Sequence, residues 1–284
     1  MKKRWIPYLA LMPVIVIIIL FYLIPIYNTF DASLHDFYDR YIGFEVFSNV
    51  LSDKSFQNAF FYTIKMASVT TIVSIILAIL TAMALRDTPS GKRLVLFCYQ
   101  LNVSIPHITM ATMVLFIFGQ SGIVSSIAYQ LGYIDNWFDF PKIVDGSSML
   151  GTVISFCLKF IPFIGLSVLS VLLITSKDYE DQSQSLGVGK FRTFFHVTLP
   201  SLKNSIFSMS MIVFAYCFGS YEVPTMLGKS QTLAMMAYNC YTNYYDVNAI
   251  YTAYIISLLI AIVTISVALV YLYITTRSET EVVV

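Results

Sequence analysis

The chain has 284 residues, of which 57% are hydrophobic and only 12% charged, with a mean hydropathy of +0.75 and a formal net charge of +1. Ordinary soluble domains carry roughly 25% charged residues, so this composition excludes a soluble enzyme domain and reads as a multi-pass membrane protein. The balanced charge leaves no basic footprint for nucleic acid. Cys98, Cys157, Cys217 and Cys240 lack any Cys-x-x-Cys or Cys/His spacing, so neither a zinc site nor a disulfide framework is indicated.

A membrane helix needs about 20 apolar residues. Runs of that length occur at about 5–26, 61–85, 94–118, 149–174, 206–227 and 249–274, which predicts an all-α protein with six transmembrane helices in a single transmembrane domain covering 1–284. The first run is longer than a secretory h-region and is followed by no small-x-small cleavage site, so it is expected to be retained. Several runs contain Pro, Gly or polar residues, which membrane helices accept when neighbours satisfy the freed backbone groups. Lys65 and Lys159 fall inside apolar runs, and each is expected to snorkel to an interface.

Basic residues set the orientation. A cytoplasmic N-terminus places Lys2, Lys3, Arg4, Arg86, Lys92, Arg93, Lys177, Lys190, Arg192, Lys203 and Arg277 inside, against only Arg40, Lys54, Lys142 and Lys229 outside. Both termini are then cytoplasmic. The outer loops are acidic, with Asp31, Asp36, Asp39, Glu45, Asp53, Asp135, Asp139, Asp145 and Asp246. They are read equally as solvated surface or as a charged landing face for a partner.

Between the fourth and fifth runs lies a polar island, 176–203, on the cytoplasmic side. Thr175 or Ser176 is placed to cap a helix whose first turns carry Asp178, Glu180 and Asp181, where the helix dipole favours anions. Gly187 supplies a stop. A second short helix follows, in which Phe191, Phe194 and Phe195 share a face, and Pro200 suits the first turn of the next helix.

This island resembles the cytoplasmic coupling loop of permeases from binding-protein-dependent ABC importers. Their motif reads Glu-Ala-Ala, three residues, Gly, nine residues, Ile/Val-x-Leu-Pro. Leu186-Gly187 and Val197-Thr198-Leu199-Pro200 keep the family spacing, while Asp181-Gln182-Ser183 stands where Glu-Ala-Ala is usual. The resemblance implies the type I permease fold and a transport subunit rather than an enzyme, one that receives a small solute from an extracytoplasmic binding protein. It implies contact of Glu180, Asp181, Leu186, Gly187, Lys190, Phe194 and Pro200 with a separate ABC ATPase dimer. It also implies pairing with a second permease, a sister chain before a second copy. ATP and Mg belong to the ATPase, since this chain has no Gly-x-x-x-x-Gly-Lys-Ser/Thr loop, and no cofactor is expected here. The expected location is the cell (cytoplasmic) membrane, in contact with lipid.

Further segments resemble the polyamine (spermidine/putrescine) branch, with relatives for ferric iron, thiamine and phosphonates: Ser104-Ile105-Pro106-His107-Ile108, Phe118-Gly119-Gln120-Ser121-Gly122, Phe218 to Gly228, and Thr232-Leu233-Ala234. They nominate Glu222, Tyr221, His107 and Asn102 for the substrate path. Each has a structural reading beside the functional one. Glu222 caps a re-entrant turn or attracts a cation; His107 and Asn102 tie helices together or line the path. Tyr238, Tyr241, Tyr244 and Tyr245 form an interfacial belt in preference to a cation cage. A lone histidine holds no metal. Two rival classes are a secondary transporter, for which the halves show no internal repeat, and a membrane enzyme, for which three scattered histidines are a poor start.

Overall fold

Length and apolarity dictate helices, because inside a bilayer the backbone must satisfy its own hydrogen bonds. The computed structural model describes residues 6–35, 40–87, 92–144, 148–175, 177–228, 231–246 and 248–280. Lys2, Lys3, Arg4, Asp36, Asp39, Asp145, Ser176 and Lys229, named above, lie outside the described residues.

Among the described residues, six stretches are long and apolar enough to cross a membrane: Leu11–Ser33, Lys54–Asp87, His107–Gln130, Leu150–Ile174, Lys190–Gly219 and Ala249–Thr275. The first is built from α1 (Ile6–Ile18), a π-helical turn (Ile19–Leu23) and α2 (Ile24–Ser33), with Pro25 in the first turn of α2, where its missing N–H costs nothing. None of its most apolar window is buried inside the chain. A short amphipathic helix, α3 (Glu45–Ser52), leads into the long α4 (Lys54–Asp87).

The third apolar run is two helices, α5 (Lys92–Ser104) and α6 (His107–Phe118), where the sequence predicts one segment at 94–118. Pro106 causes the break: it has no N–H to give the carbonyl of Asn102. A third piece, α7 (Ile123–Gln130), and a 3₁₀ turn (Trp137–Asp139) belong to the connection between α6 and the next long helix. Gln120 Nε2 donates to the carbonyls of Phe138 and Phe140 at 3.3 and 3.2 Å, so the Phe118–Gly122 segment fastens this loop.

Beyond α8 (Leu150–Thr175) come α9 (Lys177–Ser185), α10 (Lys190–Thr193), a π-helical turn (Phe194–Thr198) and α11 (Leu199–Gly219). The fifth run was predicted at 206–227, but α11 stops at Gly219 and α12 (Glu222–Met226) is a separate short helix. Two further helices follow, α13 (Leu233–Tyr241) and α14 (Ala249–Thr280).

The core lies where α4, α8 and α11 meet, with α6, α13 and α14 packed around them. The face that α4 buries is mostly small: Ala59, Thr63, Ala67, Thr70, Thr71, Ser74, Ala78 and Ala82. Spacings of three and four residues put them on one stripe. Lipid tails are as apolar as leucine, so helices in a membrane associate by close van der Waals approach, which small residues permit. Across the stripe, the Ser74 hydroxyl donates to Cys157 Sγ at 3.4 Å. Phe156, Ile164, Val168 and Leu172 of α8 fill the remaining space and are almost fully buried.

Candidate functional site

Two places gather the residues nominated from sequence. The first is the polar island. α9 ends in a Schellman arrangement: Val188 N–H reaches Ser183 O at 3.2 Å and Gly187 N–H reaches Gln184 O at 2.9 Å. Gly187 takes a φ of +83°, left-handed backbone that favours glycine, and open space surrounds the position of its missing Cβ. Leu186 beside it is 85% exposed and Phe191 is 78% exposed. Phe191 and Phe194 each pack on Phe195, with ring centroids 4.8 and 5.0 Å away. The second short helix runs without a stop into the fifth crossing, through the π turn at Phe194–Thr198. Pro200 has no N–H for the carbonyl one turn back, and the hydrogen-bond register slips there.

Glu180 differs from its neighbours. Its side chain points inward, and the residue is 8% exposed. Oε1 accepts from Arg86 Nη1 at 2.9 Å and from the hydroxyl of Thr198. Arg86 also pairs with Asp87 at 3.1 Å. One carboxylate therefore ties the Arg86 end of α4, the helix α9 and the entry to α11. Ser183 and Thr193 hydroxyls meet at 3.1 Å and add a second link between α9 and α10. Asp181, Lys190 and Pro200 are exposed. The island thus has an inner side fastened to the membrane helices and an outer side presenting Leu186, Gly187, Asp181 and Phe191.

The second place is the interior of the bundle. Asn102 and His107 flank the α5–α6 break, and Asn102 Oδ1 and His107 Nε2 are buried without a hydrogen-bond partner. His107 stacks on Tyr216 of α11 (4.2 Å, 24°) and touches Phe160 of α8 (5.6 Å). Tyr216 in turn lies within electrostatic reach of Glu222, and so connects the α5–α6 break to the α11–α12 break. Sequence reasoning missed Tyr216; its signal was a polar aromatic six residues before Glu222, inside an apolar run. Tyr221 stacks on Tyr238 at 5.3 Å and 14°. Both line, with Tyr241 and Tyr254, a cavity of about 470 Å³ beside the end of α11 at Gly219. Of the tyrosine set, Tyr238 and Tyr241 line that cavity, and Tyr244 and Tyr245 are more fully exposed.

Lys159 corrects its sequence reading. It is 6% exposed and does not snorkel; its ammonium donates to the carbonyls of Asn102 and Val103 at 2.8 Å each, and to that of Ile105. Lys65 lies on the exposed face of α4. Among the described residues no group of three or more His, Cys, Asp or Glu is placed to hold a metal.

The family described as "Binding-protein-dependent transport system inner membrane component" matches residues 74–280. The chain belongs to this family. It is therefore a multi-pass inner-membrane component of a transport system, not an enzyme. A curated family relative, the sulfate transport system permease protein CysW of Synechocystis sp., is 25% identical over 93% of this chain and 92% of its own length. The spermidine/putrescine permease protein PotC homolog of Mycoplasma genitalium is 26% identical over 66% of this chain and 61% of its own. The sn-glycerol-3-phosphate permease protein UgpA of Salmonella typhi is 22% identical over 84% and 83%. Crystal structures of a bacterial ABC transporter for the acidic polysaccharide alginate superpose with TM-scores of 0.75 and 0.78 at 17% identity, covering 97% of this chain and 96% of theirs. They share the fold of this inner membrane component, the six-crossing type I importer permease.

Proposed function

We propose that this permease passes a small organic cation of the polyamine type, delivered by an extracytoplasmic binding protein, and that the exposed side of the 177–203 island docks on a separate ATPase dimer. A sister permease completes the pathway, and both termini are cytoplasmic. Closure of the ATPase dimer would pull on the island and rock the helices between two access states.

The observation that carries the cationic reading is the charge balance along the interior. Glu222 stands at the outer break and forms no ion pair among the described residues. Tyr221 precedes it and Tyr216 lies within electrostatic reach of it, and the orphan groups at the α5–α6 break, on Asn102 and His107, bring no second carboxylate. The buried cation of this region, Lys159, is already committed to backbone carbonyls. A free carboxylate beside aromatic rings favours a cation. A second reading, an oxyanion substrate, draws support from the near full-length similarity to the sulfate permease.

The test is uptake into proteoliposomes containing this chain, its ATPase and sister permease, with the binding protein encoded beside it. ATP-dependent uptake of spermidine but not sulfate is expected. Glu222→Gln should lower that uptake on the order of tenfold while the complex is recovered in normal yield. Sulfate uptake would put the anion reading first; uptake by this chain alone would return the secondary transporter.

A further inference from the structure

The break between α5 and α6 poses an accounting problem that one side chain solves. Pro106 deprives the Asn102 carbonyl of its ordinary helical donor, so that carbonyl takes the Ile105 N–H at 3.2 Å instead, and the ladder resumes only where Met110 N–H reaches Pro106 O at 3.2 Å. The end of α5 therefore leaves the carbonyls of Val103 and Ile105 without a backbone donor among the described residues, an expensive omission for a buried group, and the helix dipole concentrates negative partial charge there. An ammonium has three protons and no lone pair; a neutral amine has only two protons to give. Three carbonyls, of Asn102, Val103 and Ile105, receive Lys159, so the geometry matches the charged form with no donor left over. Directly beside this knot, Asn102 Oδ1 and His107 Nε2 are buried and unpartnered, and the His107 ring lies flat on Tyr216.

We propose that Lys159 is a built-in cation that replaces the missing backbone donors at the break and so positions Asn102 and His107 on the route of the solute. Without it, the α5 carbonyls would turn to the nearest donors, and His107 and the Asn102 amide are the polar side chains at hand. The His107 ring and the Asn102 amide N–H groups stay uncommitted to the backbone because the lysine answers it for them, and Asn102 Oδ1 remains an open acceptor beside them. The positioning half of this proposal rests on the transport reading above; the capping half does not.

The experiment uses the assembled transporter in nanodiscs. Lys159→Ala should lower uptake on the order of tenfold, as losing charge-assisted hydrogen bonds at a buried site does. n-Propylammonium, which reproduces the deleted stem and head, should restore it, whereas tetramethylammonium, equally charged but without N–H groups, should not. Unchanged uptake in Lys159→Ala, or equal rescue by tetramethylammonium, overturns the proposal. The thermal midpoint of the complex, which needs no solute, tests the capping half independently of substrate identity. Pro106→Ala returns a backbone donor and should suppress part of the loss caused by Lys159→Met; additive losses overturn it. If Lys159→Ala does not assemble, recovery of assembly by Pro106→Ala or by propylammonium during solubilisation decides the same question, and failure of both counts against it.

Discussion

Arg86→Met is the substitution whose effect the structure sets most tightly. The Arg86–Glu180 pair is 2.9 Å long, with both side chains 10% exposed. Removing one partner of a buried pair costs about 3–5 kcal/mol, because the other charge stays behind unpaired. Two features lower that figure here. Thr198 keeps its hydrogen bond to the stranded carboxylate, and a polar cavity of about 260 Å³ lined by Arg86, Glu180, Lys190 and Thr198 can admit water. We expect about 2 kcal/mol, or roughly 30-fold more of the state in which the island is detached from α4. Amide hydrogen exchange across 178–198 in the assembled transporter should accelerate by that factor, and stimulation of the ATPase by the loaded binding protein should fall with it. Arg86→Met combined with Glu180→Leu removes both charges and should recover more than half of the protection, since a buried pair replaced by apolar groups is often neutral. Unchanged exchange in the single variant, or a double variant no better than the single, would refute the claim that this pair fastens the island.

The remaining predictions concern other parts of the chain. Gly187→Asn should retain coupling better than Gly187→Asp: both tolerate left-handed backbone, but the aspartate adds a charge beside the exposed Leu186. Equal ATPase stimulation by the two variants would remove the exposed turn as the docking surface. Gly165→Ala should cost about 1–3 kcal/mol in thermal unfolding of the purified complex, because its new Cβ would lie 2.9 Å from the Tyr99 ring of α5; an unchanged midpoint would mean that Tyr99 swings away freely. Burial, with Asp246 and Asp53 adding to it, pushes the Cys240 thiol up from its ordinary range. The raised value leaves less thiolate near neutral pH, so labelling by an impermeant maleimide added outside cells should be slow at pH 7 and rise with pH. Labelling only after the cells are opened would reverse the proposed orientation.

Much of the architecture was legible because a bilayer imposes a length rule. Six runs of about 20 apolar residues locate six crossings, and the Gly187 stop and Pro200 start are local signals read within a few residues. Apolar length says nothing about continuity, however. Pro106 splits the third run while leaving its hydropathy intact, and Glu222 leaves the fifth helix although the apolar run continues past it. The face on which a polar side chain lies depends on its neighbours: Lys159 looks like a snorkelling lysine until α5 ends against it. The same limit applies to the acids of the island. Motif spacing points to Asp181, which is exposed, while the acid that binds Arg86 and Thr198 is Glu180, one residue and about 100° round the helix.

The small-residue stripe of α4 inverts the usual expectation about which positions in a protein bear change. In a water-soluble core the large apolar side chains are least replaceable, because their burial supplies the driving force. Along α4 the outward leucines and isoleucines touch hydrocarbon whether the helices are docked or apart, and exchanging one for another leaves that balance as it was. Alanines and hydroxyl residues along this stripe set how near its neighbours can come, α8 at Ser74 and α13 at Thr63, and a single added methylene there pushes two helices apart. A map of tolerated substitutions in this chain would show its plainest residues as the most constrained, and its greasiest ones as the most free.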